Sequence, residues 1–181
     1  MEKVEVTPQR KELAKMFADM GLNTGAEIGV ERGEFAEVLC KANPKLKLYC
    51  IDAWKAYKGY RDHTNQTKLN SFYEKTKETL APYDVEIIKA WSMEAVDKFK
   101  DGSLDFVYID ANHDFGHVAE DIYRWSKKVR SGGIVSGHDY VKRRSSIECQ
   151  VKDVVDAWCY TYKLEPHFTD DSFHSWWYIN P

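Results

Sequence analysis

Three features predict a three-layer α/β fold. Short apolar runs alternate with helix-period segments along the chain. These runs are too short for helices and are bounded by glycine, proline and polar clusters. The chain closes on two strand-like runs with no room for a helix between about residues 168 and 175. Together they predict helices on both faces of a seven-stranded, mostly parallel sheet, the last strand antiparallel.

The elements follow in order. Thr7-Pro8 opens a helix with Leu13, Met16, Phe17 and Met20 on one face, closed by Gly21 and Gly25. Ala26–Val30 reads as a buried strand and Glu34–Ala42 as a helix stopped at Asn43-Pro44. Lys47–Asp52 is the second strand, Gln66–Leu80 a helix ended by Pro82, and Val85–Ile88 the third strand. Ser92 is placed to cap a helix through Phe99. Leu104–Ile109 is the fourth strand. Val118, Ile122, Trp125 and Val129 mark an amphipathic helix stopped by Gly132-Gly133. Ile134–Ser136 is the fifth strand, Ile147–Trp158 a helix, and the closing runs centre on Tyr162–Leu164 and Trp176–Ile179.

With 181 residues and no linker or repeat, the chain reads as one domain, 1–181. Within it lie an N-terminal helix (1–21), an aromatic lid or substrate segment (53–73) and a basic substrate loop (140–146). A net charge of −3 argues against a dedicated nucleic-acid binder. No apolar run reaches the roughly 18–20 residues that span a bilayer, and Met1–Glu5 lacks a signal-peptide core. A cytoplasmic protein without nucleic-acid or membrane partners is therefore expected. The four cysteines have no CxxC spacing and read as buried, reduced side chains.

In an open α/β sheet, ligands bind beyond the carboxyl ends of the strands. Here those ends carry Glu27-Ile28-Gly29-Val30-Glu31-Arg32-Gly33, then Asp52, Asp110 and His138-Asp139. Gly29 and Gly33 allow a tight turn and close backbone approach. The dinucleotide fingerprint GxGxxG is absent, and Glu27 and Glu31 suit an ammonium group better than a phosphate. Asp52 follows Gly29 by 23 residues, the usual place for a carboxylate that bonds ribose hydroxyls. A ribose joined to a cationic amino acid, without phosphate, describes S-adenosylmethionine.

These segments, with Phe106–His113 and Gly132–Tyr140, resemble the class I S-adenosylmethionine-dependent methyltransferases. Within them the chain is similar to the small metal-dependent O-methyltransferases that act on catechols and macrolide sugars. The resemblance spans about residues 22–180 and implies a Rossmann-like fold. It implies that Glu27, Gly29 and Gly33 line the methionine part, that Asp52 holds the ribose, that Ser92 and Met93 meet the adenine, and that Asp110 borders the cofactor. It further implies a divalent cation, Mg²⁺ or Mn²⁺, on Asp110, His138 and Asp139, and His113 as the base that takes the substrate proton. Two positions depart from the pattern. Glu31 replaces the middle glycine, and Phe35 stands where catechol-type enzymes carry a hydroxyl that meets the cofactor carboxylate.

The expected reaction is metal-assisted O-methylation of a small hydroxylated molecule, sugar-like or natural-product-like, and a homo-oligomer is compatible with it. Two other readings stay open at this level: an NAD-linked oxidoreductase, and a non-catalytic nucleotide-binding protein of the same fold. The residue-level alternatives are that Asp139 only caps a turn beside His138, and that His113 is a local hydrogen-bonder.

Overall fold

The computed structural model describes residues 7–57, 65–141 and 149–181. The order is α1 (Pro8–Asp19), β1 (Thr24–Ile28), α2 (Glu34–Ala42), β2 (Lys47–Asp52), α3 (Gln66–Leu80), β3 (Val85–Lys89), α4 (Ser92–Ala95, continued by one 3₁₀ turn, Val96–Lys98), β4 (Leu104–Ile109), α5 (Phe115–Ser126), β5 (Val129–Gly137), α6 (Val151–Tyr162), β6 (His167–Phe168) and β7 (Trp176–Ile179). The strands form one seven-stranded sheet in the order β3-β2-β1-β4-β5-β7-β6. All pairings from β3 to β5 are parallel, and β7 runs antiparallel to both β5 and β6. The strand order reverses between β1 and β4, and that switch point opens a crevice at their carboxyl ends.

Two apolar layers sandwich the sheet. On one face, Leu13 and Phe17 of α1, Leu39 of α2 and Phe72 of α3 pack over Leu48 and Phe106. On the other, Val118, Ile122 and Trp125 of α5 and Val154 and Val155 of α6 cover Val107 and Val135. Thr7 caps α1 by accepting the Arg10 N–H, and Pro8 fills the first helical position, where its missing N–H costs nothing. On the predicted face of α1, Leu13 and Phe17 are buried and Met16 is half-buried, whereas Met20 sits at the C-cap, 46% exposed. The four cysteines are free and buried. Among the described residues, no helix is long and apolar enough to cross a membrane.

Several boundaries differ from the sequence reading. Gly25 lies inside β1 rather than ending α1, and β1 ends at Ile28, so Gly29 and Val30 fall in the turn after it. Ser92 is the first residue of α4, whose cap is Trp91. The Gly132-Gly133 pair does not stop α5, which ends at Ser126. It lies within β5, so Val129 is a strand residue. The β4–β5 register shifts between Leu104 and Phe106, and a Cβ at Gly133 would lie 2.4 Å from the Asp105 carbonyl oxygen. An irregular strand pairing and a helix stop both call for glycine, so the pair alone cannot distinguish them. Likewise Tyr162 ends α6, with its ring 4.4 Å from that of Trp158 one turn earlier, and the strand expected at Tyr162–Leu164 begins instead at His167. The helical period outlasts the point where aromatic residues suggest a strand.

Candidate active site

The turn after β1 lies across the ends of β2 and β4. The Gly29 N–H donates to the Ile51 carbonyl (2.8 Å), and the Asp110 N–H donates to that of Ile28 (2.7 Å). Gly29 has φ +89°, and a Cβ there would lie 2.0 Å from the Asp110 carbonyl oxygen, so only glycine fits. The next two amides, Val30 and Glu31, donate to Asp52 Oδ2 at 3.1 and 3.0 Å, and the Trp54 N–H donates to Oδ1 at 2.8 Å. Three of about four acceptor positions on this carboxylate thus serve the backbone.

Glu31 holds a left-handed backbone, φ +50°, where the family pattern has glycine. Its carbonyl accepts the Trp54 indole N–H (2.7 Å) and the Thr76 hydroxyl (3.0 Å). These bonds, with Asp52 on its amide, offset the roughly 1–2 kcal/mol that the conformation costs a residue with a Cβ. Trp54 is therefore a buried strut under the turn, not part of a substrate wall.

A cavity of roughly 660 Å³ opens over this turn. Glu27, Gly29 and Asp52 line it from β1 and β2, and Ser92 and Met93 from the start of α4. Asp110, His113, His138 and Asp139 line it from the ends of β4 and β5. Gly33 is the one predicted cofactor residue outside the lining; at φ +80° it caps α2 instead.

Glu27 is buried, and its Oε2 has no hydrogen-bond partner among the described residues. Burial pushes its carboxyl well up, against the pull of Arg10, with Asp110 and Asp52 adding repulsion. An uncompensated buried carboxylate is costly unless a cation meets it.

Across the cavity, one donor atom from each of Asp110, His113 and Asp139 falls within 4.8 Å of the others. His113 Nε2 is 3.3 Å from Asp139 Oδ2 and 3.6 Å from Asp110 Oδ1. His138 Nδ1 lies 3.4 Å from Asp139 Oδ2 but 3.8 Å from Asp110 Oδ2. The three-residue donor set therefore contains His113, with His138 at its border. Burial alone would raise the Asp110 carboxyl, but the charge of His138, a hydrogen bond with His113 and the charge of Arg10 outweigh it and hold it below the ordinary carboxylate range.

Three contributors escaped the sequence reading. Arg10 reaches in from α1, its Nη2 3.2 Å from Asp110 Oδ2. It shares the face of Leu13, Ala14 and Phe17, and a guanidinium on an apolar stripe was the available signal. Asp121 and Trp125 of α5 hold Ser92. The Ser92 hydroxyl donates to Asp121 Oδ1 and accepts the Trp125 indole N–H at 2.8 Å. Burial raises the Asp121 carboxyl to about 7, although Ser92 pulls the other way. Asp121, too, sits on an otherwise apolar stripe, between Val118 and Trp125.

From the 53–73 segment, Tyr57 and Phe72 reach the cavity, and the Tyr57 hydroxyl accepts the Asn112 amide at 2.7 Å. Tyr73 packs on Trp54, and Tyr60 lies outside the described residues. In the 140–146 segment, Tyr140 bonds Asp156 and Lys152 of α6 and does not line the cavity; residues 142–146 lie outside the described residues.

A family profile described as a methyltransferase domain matches residues 26–140. The chain belongs to this methyltransferase family. Its fold is similar to that of an O-methyltransferase from Bacillus cereus solved with S-adenosylhomocysteine (SAH), at 14% identity over 98% of this chain and 84% of that one, TM-score 0.73. It is similar to TomG from Streptomyces achromogenes, an O-methyltransferase of tomaymycin synthesis solved with S-adenosylmethionine, at 17% identity, with 100% and 84% covered and TM-score 0.74. The N-methyltransferase NodS from Bradyrhizobium japonicum matches at 14% identity, with 96% and 95% covered and TM-score 0.65. At these identities the likeness is one of fold. No curated protein matches the chain in sequence.

Proposed function

We propose that the whole chain is one catalytic unit that transfers a methyl group from S-adenosylmethionine to a hydroxyl of a small molecule, with a divalent cation assisting. The observation that carries this reading is one cavity joining two features of opposite use. One end has a buried Glu27 oxygen without a hydrogen-bond partner among the described residues, beside the Gly29 turn; the other has Asp110, His113 and Asp139 gathered for a hydroxyl. The first fits an ammonium group and the second a metal-chelated alcohol.

Glu27 takes the ammonium of the methionine part. Asp52 spends its remaining acceptor position on a ribose hydroxyl while clamping the turn. Ser92 and Met93 border the adenine. Bound S-adenosylmethionine supplies an electrophilic methyl group on a sulfonium.

The donor set fits a hard cation. Oxygen ligands of a small hard cation such as Mg²⁺, at roughly 2.0–2.1 Å, would lie about 3 Å from one another, close to the 3.3–3.8 Å separations among these side chains. Asp110 Oδ1 and Asp139 Oδ2 would hold it, with His138 at the edge of the set; Asp110 Oδ2 already meets Arg10. A bound cation lowers the pKa of a coordinated hydroxyl and orients its oxygen. His113 accepts the hydroxyl proton, and its ring lies within the same group of atoms. The paired carboxylates and imidazoles favour oxygen over nitrogen as the acceptor, because a hard cation activates an alcohol and would sequester an amine lone pair.

The test is transfer of labelled methyl from S-adenosylmethionine to a panel of small hydroxylated compounds, sugars included, before and after EDTA and with Mg²⁺ or Mn²⁺ restored. Transfer that needs the cation is expected. Transfer unaffected by chelation removes the metal and leaves the methyl donor, whereas transfer only to amines overturns the O-methyl assignment.

A further inference from the structure

An amino acid offers a carboxylate as well as an ammonium, and the acid-rich cavity would repel the carboxylate. Glu27, Glu31, Asp52, Asp110 and Asp139 all line it, so a cofactor carboxylate needs a nearby cation. Only two guanidinium groups are found among the described lining residues. Arg32 is held between two acids. Its Nε is 3.1 Å from Glu34 Oε1, its Nη2 is 3.7 Å from Glu31 Oε2, and its guanidinium lies 5.2 Å from the centre of the Phe72 ring.

Arg10 is disposed differently. Its side chain is 15% exposed and stands over the Phe35 ring at 4.3 Å, with Tyr108 at 5.3 Å. Among the described residues its side chain makes one hydrogen bond, the 3.2 Å contact from Nη2 to Asp110 Oδ2, so it meets one acid where Arg32 meets two, and its buried Nε, like that of Arg32, makes no hydrogen bond. A guanidinium carries five donors in a planar fork that matches a carboxylate. Phe35 has no polar atom to offer a carboxylate, but its face supports the guanidinium. The helix that delivers Arg10 is anchored at its first turn, where the Thr7 hydroxyl donates to Asp171 of the β6–β7 connection at 2.9 Å.

We infer that Arg10 binds the α-carboxylate of the cofactor's amino-acid part, the counterpart of Glu27 at its ammonium. The buried Nε supplies an unused donor, and the Phe35 and Tyr108 rings fix the plane of the fork. This inference rests on the reading that S-adenosylmethionine occupies the cavity. It makes the N-terminal helix part of the cofactor site rather than a cover for the sheet.

The test compares two ligands that differ by one group: SAH and its decarboxylated analogue, S-adenosyl-3-thiopropylamine, which keeps the ammonium. Calorimetry on the full chain should give SAH a roughly 10- to 100-fold advantage, the range expected of a charge-assisted hydrogen bond. In Arg10→Gln that advantage should vanish: SAH weakens by that factor while the analogue stays within about threefold of its affinity for the parent. Arg10→Lys, which keeps the charge and loses the fork, should fall between them. Equal weakening of both ligands in Arg10→Gln would mean that Arg10 only holds the fold, and an unchanged preference for SAH would place the carboxylate elsewhere; either overturns the inference and leaves the proposed reaction standing. A parent chain that binds neither ligand removes both.

Discussion

The Asp52 carboxylate accepts the Glu31 N–H at 3.0 Å, so the acid ending β2 clamps the turn that follows β1. Val30 donates to the same oxygen and Trp54 to the other, and Asp52 is 7% exposed. This residue serves the backbone before any ligand arrives. A ribose contact at this carboxylate would therefore be coupled to its support of the turn.

Asp52→Ala should lose stability and cofactor affinity together. Leaving three amides without their acceptor should cost about 4 kcal/mol or more in urea unfolding, since hydrogen bonds to charged groups contribute roughly 1.5–3 kcal/mol each. Asp52→Asn keeps one acceptor oxygen and should lose less. An Asp52→Ala chain that unfolds at the parent's midpoint would show that the clamp contributes nothing.

Gly29→Ala tests the crossing of the turn over β4. The added Cβ meets the Asp110 carbonyl oxygen at 2.0 Å, and φ +89° strains any residue but glycine. Both obstacles involve backbone, which cannot swing away as a side chain tip can. A loss of at least about 3 kcal/mol is expected from overpacking together with the left-handed penalty. A variant within about 1 kcal/mol of the parent would mean that the turn yields more easily than its hydrogen bonds suggest.

Asp121 gives a signed pH dependence. Burial raises its carboxyl to about 7, above the ordinary value of 3.8 that holds in the unfolded chain. Between those values the folded chain holds a proton that the unfolded chain releases, so stability falls as pH rises through about 4 to 7. Asp121→Asn removes this titration and can still accept the Ser92 hydroxyl. It should melt near the parent at pH 4 and more stably at pH 8, by on the order of 2–4 kcal/mol. Parallel pH–stability curves for the two chains would refute the assignment.

His113 stands close enough to Asp110 and Asp139 to serve as proton acceptor or as ligand, and the two roles separate by measurement. As the base, His113→Ala should lose about 10²–10⁴-fold in turnover. Its Mn²⁺ affinity, followed by electron paramagnetic resonance, should stay within about threefold of the parent, and SAH binding should persist. Loss of Mn²⁺ binding in step with turnover would make His113 a ligand. Turnover within about threefold of the parent, far below that general-base factor, would leave it neither role.

Much of the site was readable because strand ends in an alternating α/β chain converge on one edge of the sheet. Glu27, Gly29, Asp52, Asp110, His138 and Asp139 could be named from position and His113 from the family resemblance, and all of them line one cavity. Gly33 was misplaced because a helix cap and a ligand cradle ask the same freedom of a glycine. Trp54 was misplaced because an aromatic residue among polar neighbours does not reveal whether it faces a ligand or supports a turn.

Alternating periodicity determined the layered fold, the parallel strands and the antiparallel close, because burial of one strand face or one helix stripe is a local requirement repeated along the chain. Only the tertiary structure decided that Gly132-Gly133 lies within β5 at a shift of register, that Asp52 clamps the Glu31 amide, and that Arg10 crosses from α1 to Asp110, a hundred residues away. Those outcomes depend on which backbone donors, acceptors and charges the packed sheet brings within about 3 Å of one another, distances at which hydrogen bonds form and which no spacing along the sequence encodes.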